Sequence, residues 1–544
     1  MNQGEVPERS LAPGRVLRAA WVLLAVLVSY VCLLHGLTAV GLVGPDEPRY
    51  AAISRAMAAS GDWVTPRLNG EPWLEKPVLF YWASATAHRL IGDGELAVRI
   101  PSALGAIVTS LALGWLGWRL YGAATAGVVL VLFPTTVSAF AFARGATTDM
   151  LFAASLTLAM MSAFRLVVVP SDRRHIWQVA FGVALALAVL AKGPAGVLLA
   201  AGSLILWSVV SRKTAHLTSL IQPLVATSFA VVALPWYVLS ALRNPEFVEV
   251  FLIRHNLERF LTPVFRHEQP FWFFAPILVL GLVPWSAFLV TGIRLALRVW
   301  RTGQLAASPS LYVACWVVFP VLFFSLSSSK LPGYVLPAVP AAALLLARTV
   351  ASLLDGERGA RWPLFGTAVV FAGLTAAFAV PELAIAGVPG LPLEALQPLA
   401  VLVGLVGLAV AGLTYWRREH AAIAAVALGF AMIVAYLNVS MLPRLDQFIS
   451  PRTIAQRLQE RGDADRVSVY RLQRGWHYGL NYYLDRELHE WVPGPLSLVV
   501  TTPDGVQELR AQALHVRVLD RVSAEAVLVT VAPTPKRLQP SPSQ

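Results

Sequence analysis

The sequence predicts a polytopic α-helical membrane protein of about thirteen transmembrane helices, followed by a small C-terminal α/β domain. Three observations carry this expectation. The 544 residues are 57% hydrophobic and only 14% charged, with a mean hydropathy of +0.63, far from a soluble globular composition. Beyond a first apolar run, Trp21 to Val43, further runs recur near 100–118, 123–142, 150–169, 176–191, 194–210, 217–241, 271–293, 308–328, 334–350, 363–380, 396–415 and 420–440. Each is long enough, or nearly so, to cross ~30 Å of hydrocarbon. From Pro443 the hydropathy falls, and β-like runs (Val467–Leu472, Leu496–Thr501, His515–Leu519, Ala526–Val531) alternate with helix-like stretches such as Thr453–Arg461 and Val506–Leu514.

Arg9, Arg15 and Arg18 precede the first run, which is long and has no small-residue cleavage site after it. It therefore reads as a retained helix with a cytoplasmic N-terminus. Alternate assignment of the later runs puts Arg119, Arg173 and Arg174, Arg212 and Lys213, Arg294, Arg298 and Arg301, Arg358 and Arg361, and Arg417 and Arg418 in cytoplasmic loops. All are basic, as the positive-inside rule requires. The far side holds two long loops, 44–98 and 242–270, and polar turns at 143–149, 191–194 and 325–333. In the first loop, Asp46–Ser60 and Val78–Leu90 read as amphipathic segments at the interface. The expected division is a membrane domain over 1–442, a soluble α/β domain over 443–534 and a disordered Pro/Ser/Gln-rich tail over 535–544.

The net charge of +12 is accounted for by topology and anionic lipid contact. The basic residues form no stripe with interleaved aromatics, so no nucleic-acid partner is expected. Cys32 and Cys315 lie in apolar runs without metal or redox spacing. No glycine pattern of a nucleotide site follows a strand, so no nucleotide cofactor is expected. No inverted pair of broken helices favours a transporter.

Chemistry concentrates at Asp46-Glu47-Pro48-Arg49-Tyr50, two carboxylates, a guanidinium and a phenol at the mouth of a membrane helix. An ordinary cap explains part of it: Asp46 could accept backbone N–H bonds and Arg49 could pair with it at i+3. A second cluster, Glu75-Lys76-Pro77, sits among Trp73, Phe80, Tyr81 and Trp82. Lys76 reads either as a snorkelling anchor or as an ammonium aimed by the following proline. Arg144 and Asp149 bracket a polar turn, Lys192-Gly193-Pro194 interrupts an apolar stretch, and Lys330 and Tyr334 lie in another interruption. Arg49, Lys76, Lys192, Arg259 and Lys330 on one side would form a cationic chamber suited to lipid phosphates. The 242–270 loop holds His255 and His267 without a metal-binding spacing.

These clusters resemble the lipid-to-lipid sugar transferases of the GT-C class, and within it the enzymes that move 4-amino-4-deoxy-L-arabinose to lipid A. The matching residues are Pro45-Asp46-Glu47, Arg49-Tyr50-Ala51, Ile53-Ser54-Arg55, Ser60-Gly61-Asp62-Trp63, Glu75-Lys76-Pro77, Thr148-Asp149, Lys192-Gly193, Arg259-Phe260 and Lys330-Leu331-Pro332 with Tyr334, spread over about the first 350 residues. The resemblance implies a GT-C fold and an active site at the periplasmic face of the bacterial inner membrane. It also implies an undecaprenyl phosphate-linked aminoarabinose donor and a lipid A phosphate acceptor, with cationic lipid A and polymyxin resistance as the outcome. By the same resemblance Asp46 and Asp149, with Glu47 beside the first, are the catalytic carboxylates. Lys76 and Arg259 are carrier-phosphate ligands, with Arg49, Lys192, Lys330 and Tyr334 completing the phosphate-binding cavity, and Glu75 and His255 are a pair that can hold a divalent metal such as zinc. Membrane lipids are the surrounding partners, and a monomer is expected. Two other readings stand beside this one: a GT-C protein O-mannosyltransferase-like enzyme, whose alcohol acceptor would need a true base, and a lipid flippase or transporter.

Overall fold

The protein is described from a computed structural model over residues 13–169, 172–262, 268–304, 306, 308–356, 360–380, 393–494, 496–521, 523 and 525–533. The 535–544 tail lies outside these residues, as do Arg9 and Arg358. Helices dominate: α1 (Pro13–Ser29, prolonged by a π-turn to Leu34), α2 (Asp46–Ser60), α3 (Leu79–Ile91), α4 (Glu95–Tyr121), α5 (Ala123–Leu132), α6 (Val137–Arg144), α7 (Thr148–Val167), α8 (Arg174–Lys192), α9 (Ala195–Ser211) and α10 (Pro223–Arg243). Further helices follow from Phe274 to Ile449.

Among the described residues eight helices are long and apolar enough to cross a membrane, or ten if each of two bent pairs is one span. The expected count of thirteen is not reached on that test. Two of the apolar runs are broken, and three others, Ala19–Leu34, Ala195–Ser211 and Pro309–Ser325, form shorter helices. The run at 123–142 bends by 56° between α5 and α6, and the run at 271–293 bends by 116° between Phe271–Gly281 and Trp285–Arg301. Pro134 and Pro284 stand in these breaks and cannot donate a helical N–H. The two breaks are tied to each other. Val137 N donates to Val283 O at 3.0 Å, and Trp285 Nε1 donates to Thr135 Oγ1 at 3.0 Å. Non-helical backbone at membrane depth requires this protein-to-protein repair.

The element order alternates the two ends of the bundle. Helix α7 has Asp149 in its first turn and runs away from it, α8 returns to Lys192, and α9 leaves again toward Arg212. Polar turns therefore gather at one end and the basic turns 119, 173–174 and 212–213 at the other. The main core, with Phe133, Phe164, Trp285, Tyr312 and Trp316, fills the bundle.

The two segments expected in the first loop are the helices α2 and α3, joined through a short antiparallel ribbon, β1 (Arg67–Leu68) and β2 (Glu71–Pro72). The C-terminal strands are β3 (Val467–Tyr470), β4 (Ser497–Thr501), β5 (Leu514–Arg521) and β6 (Val527–Pro533), ordered β3-β4-β6-β5. Strands β3 and β4 pair in parallel, while β4–β6 and β5–β6 are antiparallel. Alternation along β4 and β6 sends Val500 and Leu528 to the helices Arg452–Glu460 and Arg474–Leu484, and Val499, Val527 and Val529 to the helix Pro503–Ala511. A continuous helical stretch, Glu419–Ile449, carries the chain across residue 443.

Candidate active site

The site rests on a second apolar cluster, in which Tyr50, Ile53 and Met57 of α2 pack with Phe80 and Tyr81 of α3, Trp236 of α10, and Phe247, Phe251 and Tyr482. Tyr50 lies 5.8 Å from the Phe80 ring and 5.6 Å from the Tyr81 ring.

The first wall is the start of α2. Acidic residues suit a helix N-terminus, and Gly61 closes the helix with its N–H on Met57 O at 3.1 Å. The residue at the cap position is Pro45, with no side-chain cap bond, so Asp46 does not serve as the cap. Its Oδ1 pairs with Arg49. Asp46 remains 51% exposed while Arg49 is 14% exposed, with its guanidinium 4.8 Å from the Trp73 ring and 5.9 Å from the Tyr478 ring. Asp46 Oδ2 makes no hydrogen bond among the described residues. Asp46 also lines a cavity of about 440 Å³ with Val43, Arg99, Phe140, Arg144, Thr147 and Leu442.

Glu47, expected beside Asp46 as a catalytic carboxylate, is buried in an ion pair with Arg99. It is 5% exposed, with Oε1 accepting from Arg99 Nε at 3.0 Å and from Ala146 N at 2.8 Å, and Oε2 accepting from Arg99 Nη2 at 2.7 Å and Val43 N at 2.9 Å. Four donors occupy both oxygens, so the carboxylate fastens the Asp46 loop to the 143–149 turn.

The second wall brings three distant segments together. Thr147 caps α7 through its hydroxyl, Asp149 pairs with Lys192 at the end of α8, and the Lys192 ammonium lies 5.2 Å from the Tyr334 ring. A Cβ on Gly333 would lie 3.8 Å from Asp149 Cγ, which places that turn directly over the carboxylate. Tyr50 is buried in the same apolar cluster as Ala146 and Leu190, which precede the two members of the second wall's ion pair in sequence. Burial, reinforced by the charges of Asp46, Asp149 and Glu75 and opposed by Arg49, pushes its phenol well above the ordinary tyrosine range, so it stays neutral.

The remaining expected residues divide. Lys76 is half-buried beside Glu75 at the same edge. Lys330 is buried and donates to Ser327 O at 2.6 Å, turned back onto the loop that carries Tyr334. Ser328 N donates to Phe260 O at 3.0 Å, so the end of the 242–270 loop is tied to that turn. The Arg259 side chain and residues 263–267, His267 among them, lie outside the described part. His255 Nε2 stands 3.8 Å from Glu75 Oε1. Among the described residues no group of three His, Cys, Asp or Glu forms a metal-binding set. The pair thus offers two donors, where a catalytic zinc takes three from the protein, and these residues alone do not fit that ion.

The first part of the chain, residues 19–251, matches the family model described as dolichyl-phosphate-mannose-protein mannosyltransferase. Undecaprenyl phosphate-alpha-4-amino-4-deoxy-L-arabinose arabinosyl transferase of Edwardsiella ictaluri (strain 93-146) is 32% identical over 426 residues, covering 75% of this chain and 76% of that protein. The chain belongs to this arabinosyl transferase family. A second relative, the arabinosyl transferase 2 of Sodalis glossinidius (strain morsitans), is 29% identical over 86% of this chain and 90% of its own. The crystal structure of ArnT from Cupriavidus metallidurans bound to undecaprenyl phosphate superposes with a TM-score of 0.79 at 25% identity, covering 96% of this chain and 98% of that one. The apo structure gives 0.78 at 26% identity. The GT-C fold of the arabinosyl transferases is therefore the fold of this chain.

Sequence reasoning missed Arg99 and the C-terminal contribution. Arg99 had a readable signal, a lone arginine inside the first turns of an apolar helix. The helix Arg474–Leu484 had none, yet it sets Tyr478 beside Arg49 and Tyr482 under Arg55, whose guanidinium is 4.3 Å from that ring. Burial pushes the Tyr482 phenol up to about 12. Tyr483 OH accepts from Leu42 N and donates to Glu95, both at 2.8 Å, and Asp446 accepts from Gly41 N at 2.6 Å. The C-terminal region thus grips the segment leading into Asp46.

Proposed function

We propose that this protein transfers 4-amino-4-deoxy-L-arabinose from undecaprenyl phosphate to a phosphate of lipid A, acting as a monomer at the periplasmic face of the bacterial inner membrane. The observation that carries the reading is the presence of two charge pairs, Asp46–Arg49 and Asp149–Lys192, at one end of the bundle, with Asp46 lining a cavity of about 440 Å³, in a chain of the arabinosyl transferase family. The basic turns at the opposite end of the bundle support a periplasmic site under the positive-inside rule.

In the transfer, the bond from the sugar's anomeric carbon to the carrier phosphate oxygen breaks, and the carrier leaves with one more negative charge. The new bond forms to an oxygen of the acceptor phosphate. A phosphate monoester has a second pKa near ~6, so at neutral pH the acceptor arrives largely as the dianion and no proton need be removed. Asp46, with one oxygen held by Arg49 and the other open, orients the acceptor or meets positive charge developing on the sugar. Lys76 and Arg259 take the departing phosphate, and fixed charge of this kind acts on the transition state without reorganisation. Asp149 holds Lys192 against Tyr334. Glu47 positions the loop. Glu75 and His255 would hold a divalent ion, with donors beyond the two completing its coordination.

The match to the protein mannosyltransferase model keeps one other acceptor in view, a protein hydroxyl. Lipid A mass analysis after expression in a strain lacking this activity tests both. A mass gain matching aminoarabinose is expected; unchanged lipid A with glycosylated protein would replace this reading by the other.

A further inference from the structure

Helix α7 carries Asp149 at one end and Arg165 near the other, sixteen residues on, or about 24 Å at the usual helical rise. Arg165 is outside everything assigned above. It is only 8% exposed, and its Nε and Nη1 are buried with no hydrogen-bond acceptor among the described residues. A charged N–H group left dry is among the most costly features a fold can carry, so such a group points to an absent acceptor. Its guanidinium lies 5.8 Å from the Trp177 ring of α8, and that ring lies 5.3 Å from Trp115 of α4. Arg119, exposed in the last turn of α4, stands four residues beyond Trp115 and so on the same helix face, and among the described residues no ion pair joins Asp172 to Arg165. Down α4 from this point run Leu104, Val108, Leu111 and Trp118, exposed apolar residues at helical spacing, with Ile176 and Val179 exposed on α8.

We infer that Arg165, Arg119, Trp115 and Trp177 form a binding site for the phosphate of an anionic membrane lipid, at the end of the bundle opposite the sugar-transfer site. The phosphate oxygens supply the acceptors that Arg165 lacks. Tryptophans belong at headgroup depth, and the exposed stripe on α4 accommodates an acyl chain below it. Arginine is the suitable cation here because its planar head stacks on Trp177 while its edges donate. A snorkelling arginine wetted by bulk water is the competing explanation, and it requires no lipid.

The test uses the full-length protein purified in a neutral detergent. Bound lipid is counted by native mass spectrometry, and thermal midpoints are read on adding phosphatidylglycerol, phosphatidylcholine or inorganic phosphate. Phosphatidylglycerol is expected to give a retained one-lipid adduct and to raise the midpoint, with phosphatidylcholine giving neither. Arg165→Gln should weaken retention about tenfold. Arg119→Gln, at an exposed position that does not threaten folding, should weaken it about threefold. Equal retention in wild type and both variants overturns the site. An equal rise from inorganic phosphate at matched concentration overturns the lipid assignment, since the acyl stripe would then contribute nothing. If Arg165→Gln does not fold, Arg119→Gln alone decides: undiminished retention in that variant counts against the inference.

Discussion

Glu47 and Arg99 form a two-point ion pair inside the protein, Nε to Oε1 at 3.0 Å and Nη2 to Oε2 at 2.7 Å, and Arg99 spends its other hydrogens on the carbonyls of Leu37, Val40 and Gly41. Every group on the pair is engaged, so removing one partner strands the other in a dry setting. Arg99→Leu is expected to cost roughly 3–5 kcal/mol of stability. Thermal unfolding should show the loss, and a joint Glu47→Gln/Arg99→Leu change should recover part of it. A Glu47→Gln protein that folds normally but transfers no sugar would instead return Glu47 to a direct catalytic role.

Asp46 behaves differently because half its carboxylate surface is open. Asp46→Asn keeps the shape and removes the charge, so the protein should unfold at the wild-type temperature while turnover in a reconstituted assay drops about 100-fold, the range seen when one electrostatic contact to a transition state is lost. Wild-type turnover in this variant would sink the assignment.

Asp149 and Lys192 are each about four-fifths buried and rely on one another. Lys192→Met should reduce both stability and transfer, whereas the Asp149→Asn/Lys192→Met double variant should regain stability without regaining transfer. A double-mutant cycle on melting temperature checks the first half of that statement. Activity returning with stability would mean that the pair is only structural.

Tyr483 links the C-terminal region to the membrane part through a single hydroxyl that serves Leu42 and Glu95. Tyr483→Phe leaves that N–H without its acceptor and is expected to cost about 1–3 kcal/mol. Proteolysis of the C-terminal region should accelerate correspondingly. Turnover should fall as well, because Leu42 lies four residues before Asp46; unchanged kcat would show that the grip does not reach the site.

Acid should weaken the fold through His88. Its ring is buried, which lowers its pKa below the ordinary value of 6.5, against the opposing effects of Ser84 O and Asp93. The unfolded chain then binds more protons than the native one as the pH falls through 6.5, so stability rises with pH across that window and declines on acidification. Melting temperatures of wild type and His88→Gln between pH 7.5 and pH 5 should diverge, with the wild type losing more, by an amount set by how far burial has moved the group.

Much of this was legible in the sequence for a simple physical reason. A charge at the edge of hydrocarbon is expensive, so Asp46, Arg49, Asp149 and Lys192 stood out against an apolar background, and they form two ion pairs, Asp46 with Arg49 and Asp149 with Lys192. The C-terminal strands showed themselves as short β-like runs between helix-like stretches once the hydropathy fell. Direction was harder to read. Lys330 sits in the right turn, but which way an ammonium swings depends on the carbonyl of Ser327, a backbone group that no residue pattern marks. The helix Arg474–Leu484 was invisible because its aromatic residues face another segment more than four hundred positions away. Bends at Pro134 and Pro284 likewise depend on each other across the bundle.

The close approach of Gly475 to Gly44 bears on how far the two parts of this chain can be treated as interchangeable modules. A Cβ at position 475 would stand 2.9 Å from the carbonyl carbon of Gly44, two residues before Asp46. Chimeras that graft a relative's C-terminal region onto this membrane part should thus succeed or fail on a single atom: donors with glycine at that point seat correctly, and donors with alanine displace the loop they were meant to cover.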